Sequence, residues 1–130
     1  MSAITAALPT TLAERIELGP DIVRFPASWE EYLDLLEQAD FQMEYDNETI
    51  ILMSIASDPH EAITAHIIIQ LGFLFDKDPQ MNIHGSNLHV YIKEVHKDYS
   101  PDAHVVKGEP EIHVLRGKLR ANTNPWLVVE

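Results

Sequence analysis

Tyr99-Ser-Pro-Asp102-Ala-His-Val-Val106 opens with a proline turn and continues as a strand whose first residue is an acid. Proline fixes φ and has no N–H to donate, so Tyr99-Ser-Pro is expected to be a turn. The run Asp102-Ala-His-Val-Val then reads as a strand. A second run, Asn124-Pro-Trp-Leu-Val-Val-Glu130, is apolar from Trp126 and ends on another acid. Its unbroken apolar character predicts a strand covered on both faces.

Working outward, Lys107-Gly-Glu-Pro reads as a loop, Ile112-His-Val-Leu as a short strand and Gly117 to Asn124 as a polar loop. Met81-Asn-Ile-His and Leu88-His-Val-Tyr-Ile-Lys alternate with period two, which predicts strands on either side of Gly85-Ser-Asn87. Asp58-Pro-His-Glu61 has the grammar of a helix start, with Asp58 as N-cap, Pro59 in the first turn and Glu61 closing a capping box. The helix runs on through Ile63, Ile67 and Leu71 to about Leu74 and is apolar around most of its circumference, which predicts a buried central helix. Two β-rich runs flank Asp46-Asn47, a hairpin signal. Ser28-Trp-Glu-Glu31 is a second capping box, and Trp29, Tyr32, Leu33 and Leu36 follow at helical spacing, so residues 28–38 read as an amphipathic helix. Residues 1–27 carry Pro9, Gly19-Pro20 and Pro26 without a clear period and are expected to be a loosely ordered segment before a domain over 28–130. One long helix between two groups of strands predicts an α/β or α+β fold, a mixed sheet flanked by helices.

At 130 residues the chain has room for one domain. It has no cysteine, which excludes disulfides and thiolate metal sites. No apolar run approaches the roughly 20 residues of a membrane span, and Met1 to Thr11 lacks the basic leader of a signal peptide, so a cytoplasmic protein is expected. The formal charge is −12. Residues 1–58 hold 12 acids and two arginines, whereas residues 59–130 hold nine acids and seven Lys or Arg. Affinity for nucleic acid comes largely from basic side chains, so the charge disfavours DNA, and any face meeting a polyanion must come from the second half. Lys93, Lys97, Lys107, Arg116, Lys118 and Arg120 lie there, as a phosphate-contacting rim or, preferably, as ordinary solvated surface.

The quoted segments, in their order, resemble the Uma family, which has the restriction-endonuclease-like fold written PD-(D/E)xK. The resemblance covers Trp29 to Glu130 and rests on Trp29-Glu-Glu-Tyr-Leu, Met43-Glu44-Tyr-Asp-Asn-Glu48 with Ile50-Ile-Leu-Met53, Ser57-Asp-Pro-His60, Pro101-Asp102-Ala-His-Val-Val and Asn124-Pro-Trp-Leu-Val-Val-Glu130. It implies a restriction-endonuclease-like core and a Mg²⁺- or Mn²⁺-dependent DNA endonuclease. Asp102 and Glu130 would hold the metal, Glu44 would be an accessory catalytic acid, and His60 would lie near the same site. The chemistry agrees, since Mg²⁺ takes one or two carboxylates together with water and substrate oxygens, and a bound divalent ion can activate water for attack on phosphorus. The family's basic residue after the second acid has no counterpart behind Glu130, nor have its remaining strands and helix. The expectation is a core incomplete at its C-terminal end and weakened or lost hydrolysis.

Plainer roles stand beside these. Asp102 can simply cap a strand, Glu130 can be an exposed end, Glu44 can be a solvent-facing hairpin residue, and His60 can be a surface residue of a first helical turn, where a cationic ring is disfavoured. His60 and His66 do not share a helical face, and the spacing of His89, His104 and His113 shows no convergence, so no zinc site is expected. The alternative function is non-enzymatic, an interaction module that self-associates as a homodimer through the sheet surface near Trp126–Val129.

Overall fold

The computed structural model describes residues 8–55 and 58–130. Its elements are α1 (Leu12–Glu17), β1 (Val23–Pro26), α2 (Trp29–Gln38), β2 (Met43–Asp46), β3 (Thr49–Leu52), α3 (Asp58–Leu74), β4 (Met81–Gly85), β5 (His89–Ile92), a 3₁₀ turn (Lys93–Val95), β6 (Lys97–Tyr99), β7 (Ala103–Lys107), β8 (Ile112–Arg116), β9 (Leu119–Asn122) and β10 (Leu127–Val129). The strands form two sheets. The larger runs β1-β3-β2-β6-β5-β9-β8 and the smaller β10-β7-β4. All pairs are antiparallel except β5 with β9, so the larger sheet is mixed, as expected for a restriction-endonuclease-like α+β fold. No helix among the described residues is long and apolar enough to cross a membrane.

The core gathers on α2. Its Ser28 cap forms the full reciprocal box, with Ser28 Oγ accepting from Glu31 N and Glu31 Oε1 accepting from Ser28 N. That start aims Tyr32, Leu33 and Leu35 at Met43, Tyr45, Ile50 and Leu52 of the β2–β3 hairpin, all buried. Each such side chain contributes roughly 1.5–3 kcal/mol on leaving water. Trp29, Tyr32, Tyr45 and Tyr91 add an aromatic cluster with ring centroids 5.0–5.4 Å apart. The hairpin turn falls at Asn47-Glu48, where both φ values are positive, 50° and 56°, the two-residue geometry that suits the twist of paired strands.

Several expectations are corrected. Residues 8–27 are not loosely ordered. They carry α1 and β1, and β1 pairs residue for residue with β3. Arg15 fixes this segment: its buried guanidinium donates to the carbonyls of Gly19, Asp21 and Met53. Residues 119–122, read as a loop, form β9, because Ala121 and Asn122 pair with His89 and Val90 and are buried there. Lys97–Tyr99 is likewise a strand, wedged between β2 and β5. β10 is not covered on both faces: Trp126 and Leu127 are exposed.

The largest correction concerns α3. Ile63 is 61%, Phe73 75% and Leu74 72% exposed, so the helix is not the buried centre of the domain. It packs one side on β4 and leaves the rest uncovered among the described residues. Its all-round apolar pattern gave no single buried stripe to follow. The side chain of Asp58, on which the expected cap rests, lies outside the described residues. We expect Leu52→Ala to cost about 2–5 kcal/mol in urea denaturation, as a core truncation, and Phe73→Ala to stay within about 0.5 kcal/mol, as a surface change. Equal losses would put α3 back in the core.

Candidate functional site

Three residues, Ser100-Pro-Asp102, carry the chain from β6 in the large sheet to β7 in the small one. Pro101 is buried and has no N–H, so the only backbone donors in the crossing are those of Ser100 and Asp102. Ser100 N donates to Glu44 Oε2 at 2.9 Å, and Ser100 Oγ donates to the carbonyl of Ser86. The crossing thereby ties β2, the turn before β5 and the start of β7 to one another.

Strand pairing then brings the acids together. β10 runs antiparallel to β7 with Val128 opposite His104 and Val129 opposite Ala103. Residues opposite each other in an antiparallel pair share a face, so His104 and Val128 do. His84 joins them, since β4 places it opposite His104. Asp102 and Glu130 each lie one residue beyond the paired ends of these two adjacent strands, and both line the same cleft. The N-terminal end of α3 meets this face, with His60 Nε2 3.1 Å from Asp102 Oδ1.

Asp102, Glu130 and His60 line one cleft of about 520 Å³. Glu44, Glu61, Asp102 and Glu130 are its acids and His60 its one basic side chain, with Ser86 and Ser100 on the wall. Burial pushes the Glu44 carboxyl above the usual carboxylate range, and the Glu130 carboxylate pushes it the same way. The Ser100 N–H, His89 and Lys97 oppose the shift. Tyr99 is raised by burial and then by Glu130 and Glu44, so it feels the same negative field.

Beneath the acids His84 and His104 stack with centroids 5.1 Å apart. His104 is fully buried, and neither of its ring nitrogens has a hydrogen-bond partner among the described residues. Burial and the neighbouring His84 lower its pKa to about 4, so the ring is neutral at neutral pH.

Among the described residues no three His, Cys, Asp or Glu side chains converge as a preformed cage. Carboxylate oxygens lining an open cleft are the donor type that Mg²⁺ or Mn²⁺ takes, alongside several waters. Sequence reasoning singled out Glu44, His60, Asp102 and Glu130, and all four line this cleft. It missed Ser100 and Ser86. Their contribution is a backbone donor, a backbone acceptor and a hydroxyl in a turn, for which no residue pattern gives a signal. Glu61 was read only as a capping residue.

A family model, Uma2, described as "Putative restriction endonuclease", matches residues 29–130, more than three quarters of the chain. No curated protein and no solved structure gives a significant match.

The His104 shift has a stability consequence. The unfolded chain binds a proton near pH 6.5 that the folded ring refuses until about pH 4. Folding stability is therefore expected to fall as pH drops through that window, by no more than about 3 kcal/mol. Urea titrations from pH 7 to 4 read the slope, and His104→Phe is expected to flatten it. An unchanged slope in that variant would assign the loss to other groups.

Proposed function

Because this chain belongs to the Uma2 family, its function is nuclease-like, and we propose that the acid cleft is a divalent-metal site for hydrolysing phosphodiester bonds in DNA. The observation that supports this reading is that Asp102 and Glu130, at the adjoining ends of the paired strands β7 and β10, line one cleft. In this reading the carboxylates of Asp102 and Glu130 hold Mg²⁺ or Mn²⁺. When bound, such an ion supplies Lewis-acid polarisation of the phosphate and a water of lowered pKa.

The protein's own groups do the rest. Glu44 is held by the Ser100 N–H and has a raised pKa, so it is suited to taking a proton from the attacking water close to the acid pair. His60 contacts Asp102 Oδ1 and fixes the direction of that carboxylate, leaving Oδ2 to the cleft. The hydroxyls of Ser54 and Ser86 give the wall neutral donors that can receive a phosphate without adding negative charge.

The test is cleavage of plasmid DNA with Mg²⁺ or Mn²⁺, together with calorimetric titration of each ion. We expect Asp102→Ala to abolish cleavage and to weaken metal binding by at least the roughly 10–100-fold that outer-shell changes cost. Glu130→Gln is expected to do the same. A wild-type chain that neither binds the ion nor cuts would leave the fold without this chemistry, and an active Asp102→Ala variant would move the chemistry elsewhere.

A second reading rests on α3. Ile63, Ile69, Phe73 and Leu74 of this helix, with Trp126 and Leu127 near β10, are exposed apolar residues. Residues 62–75 carry no Asp, Glu, Lys or Arg. In a chain of charge −12 this is where a second copy meets the least repulsion. In that reading the protein is a homodimer, with or without catalysis. Sedimentation is expected to show a dimer for the wild type and a monomer for Ile69→Glu, and a wild-type monomer at high concentration would remove this reading.

A further inference from the structure

On the far side of the turn that precedes β5 lies a second pocket, of about 280 Å³, with a different chemistry. Ser86 lines the acid cleft and its neighbour Asn87 lines this pocket, so the two share one turn. The Cα atoms of consecutive residues are about 3.8 Å apart. Leucines, among them Leu36, Leu88 and Leu119, form its apolar wall, and its polar groups include His89, Lys118 and Arg120. Among the described residues no Asp or Glu lines it.

Its cations are available. Neither Lys118 nor Arg120 makes an ion pair among the described residues. The acids of α2 nearest to this hairpin, Glu30, Asp34 and Glu37, are all engaged by Arg116 instead. His89 is fixed from behind, its Nδ1 2.8 Å from Oδ2 of Asp98, a fully buried carboxylate that also accepts from the Tyr32 hydroxyl. The ring is therefore held at one orientation in the wall.

We propose that this pocket binds a nucleoside monophosphate unit, its phosphate on Lys118 and Arg120 and its base against the leucine wall. This deepens the reading of the acid cleft and rests on it for one point, that the unit belongs to a DNA strand whose scissile phosphate lies across the turn. A chain of charge −12 needs a local positive contact to hold a polyanion. The β8–β9 hairpin supplies it at a pocket that adjoins the acid cleft and, among the described residues, has no lining acid. Arg and Lys suit phosphate as charge-assisted donors, and an apolar wall suits a base face but not a bare inorganic ion.

The test is an NMR titration of the full chain, in EDTA so that the acid cleft holds no metal. The probes are thymidine 5′-monophosphate, thymidine, inorganic phosphate and a short single-stranded oligothymidylate. The monophosphate and the oligonucleotide are expected to shift amides 87–89 and 115–120, with the oligonucleotide tighter, whereas thymidine and phosphate alone bind far more weakly. The double variant K118A/R120A is expected to lose affinity roughly tenfold and to show a smaller salt dependence. Both side chains are exposed, and the single variants K118E and R120E give a second reading should the double variant perturb the fold. An oligonucleotide no tighter than the monophosphate would indicate a free nucleotide as the ligand and would overturn the strand assignment. Shifts confined to other residues, undiminished binding in the charge variants, or inorganic phosphate binding as tightly as the nucleotide would overturn the pocket assignment. Loss of these shifts beside intact Asp102-dependent cleavage removes only this pocket. Intact shifts beside absent cleavage remove only the hydrolytic reading.

Discussion

The hydrogen bond from Ser100 N to Glu44 Oε2 ties the crossing between the two sheets to β2 of the larger one. A strand that leaves one sheet for another breaks its ladder, and the backbone groups at the break need other partners. An orphaned buried donor costs about 1–3 kcal/mol. Glu44 meets that need from the middle of β2, and its register there is fixed by Ile51 across the hairpin. Because the crossing is only three residues long, securing Ser100 also determines where Asp102 emerges. The hydroxyl of Ser100 reaches the Ser86 carbonyl and secures the neighbouring turn in the same way. The acid cleft is in this sense the seam between the sheets.

The seam rests on a neutral floor. His104 lies two residues from Asp102 and does not accept a proton until about pH 4. Stacked on His84, it supplies no positive charge from below. The negative field of Glu44, Asp102 and Glu130 is open to the cleft. In the proposed function a divalent cation would meet this field from solvent and would relieve the repulsion that helps to raise the Glu44 carboxyl. That field is why the cleft supports a metal reading better than direct capture of a phosphate.

Local signals were legible where they depended on neighbours in sequence. The Ser28 capping box, the hairpin around residues 46–48 and the strand after Pro101 are read from a few adjacent residues, and each forms. Signals that depend on partners far along the chain were not. Leu119–Asn122 alternates too briefly to signal a strand; it pairs with β8 across the turn at Gly117, and its far edge is closed by β5, a parallel partner distant in the chain. α3 is apolar on every side, which matches a buried helix and a partly uncovered one equally well, and only the tertiary packing separates the two. The nearness of Asp102 and Glu130 was inferred from a resemblance. The register that brings them together depends on pairing across 28 positions, which no spacing rule reveals.

The net charge of −12 counts against a nucleic-acid partner only if the charges are spread evenly, and they are not. Several acids are already engaged: Glu30, Asp34 and Glu37 surround Arg116, Asp46 meets Lys97, and Asp98 is buried between Tyr32 and His89. A ligand at the surface feels mainly the charges within a Debye length, about 8 Å at physiological salt. On one side of the Ser86–Asn87 turn that neighbourhood is a cluster of carboxylates suited to a cation, and on the other it is Lys118 and Arg120 without a lining acid among the described residues. A phosphodiester strand needs both kinds of surface in succession, because the reacting phosphate has to meet a metal while its neighbours meet cations that react with nothing. The arrangement of charge across that single turn therefore says more about a partner than the sum over the chain.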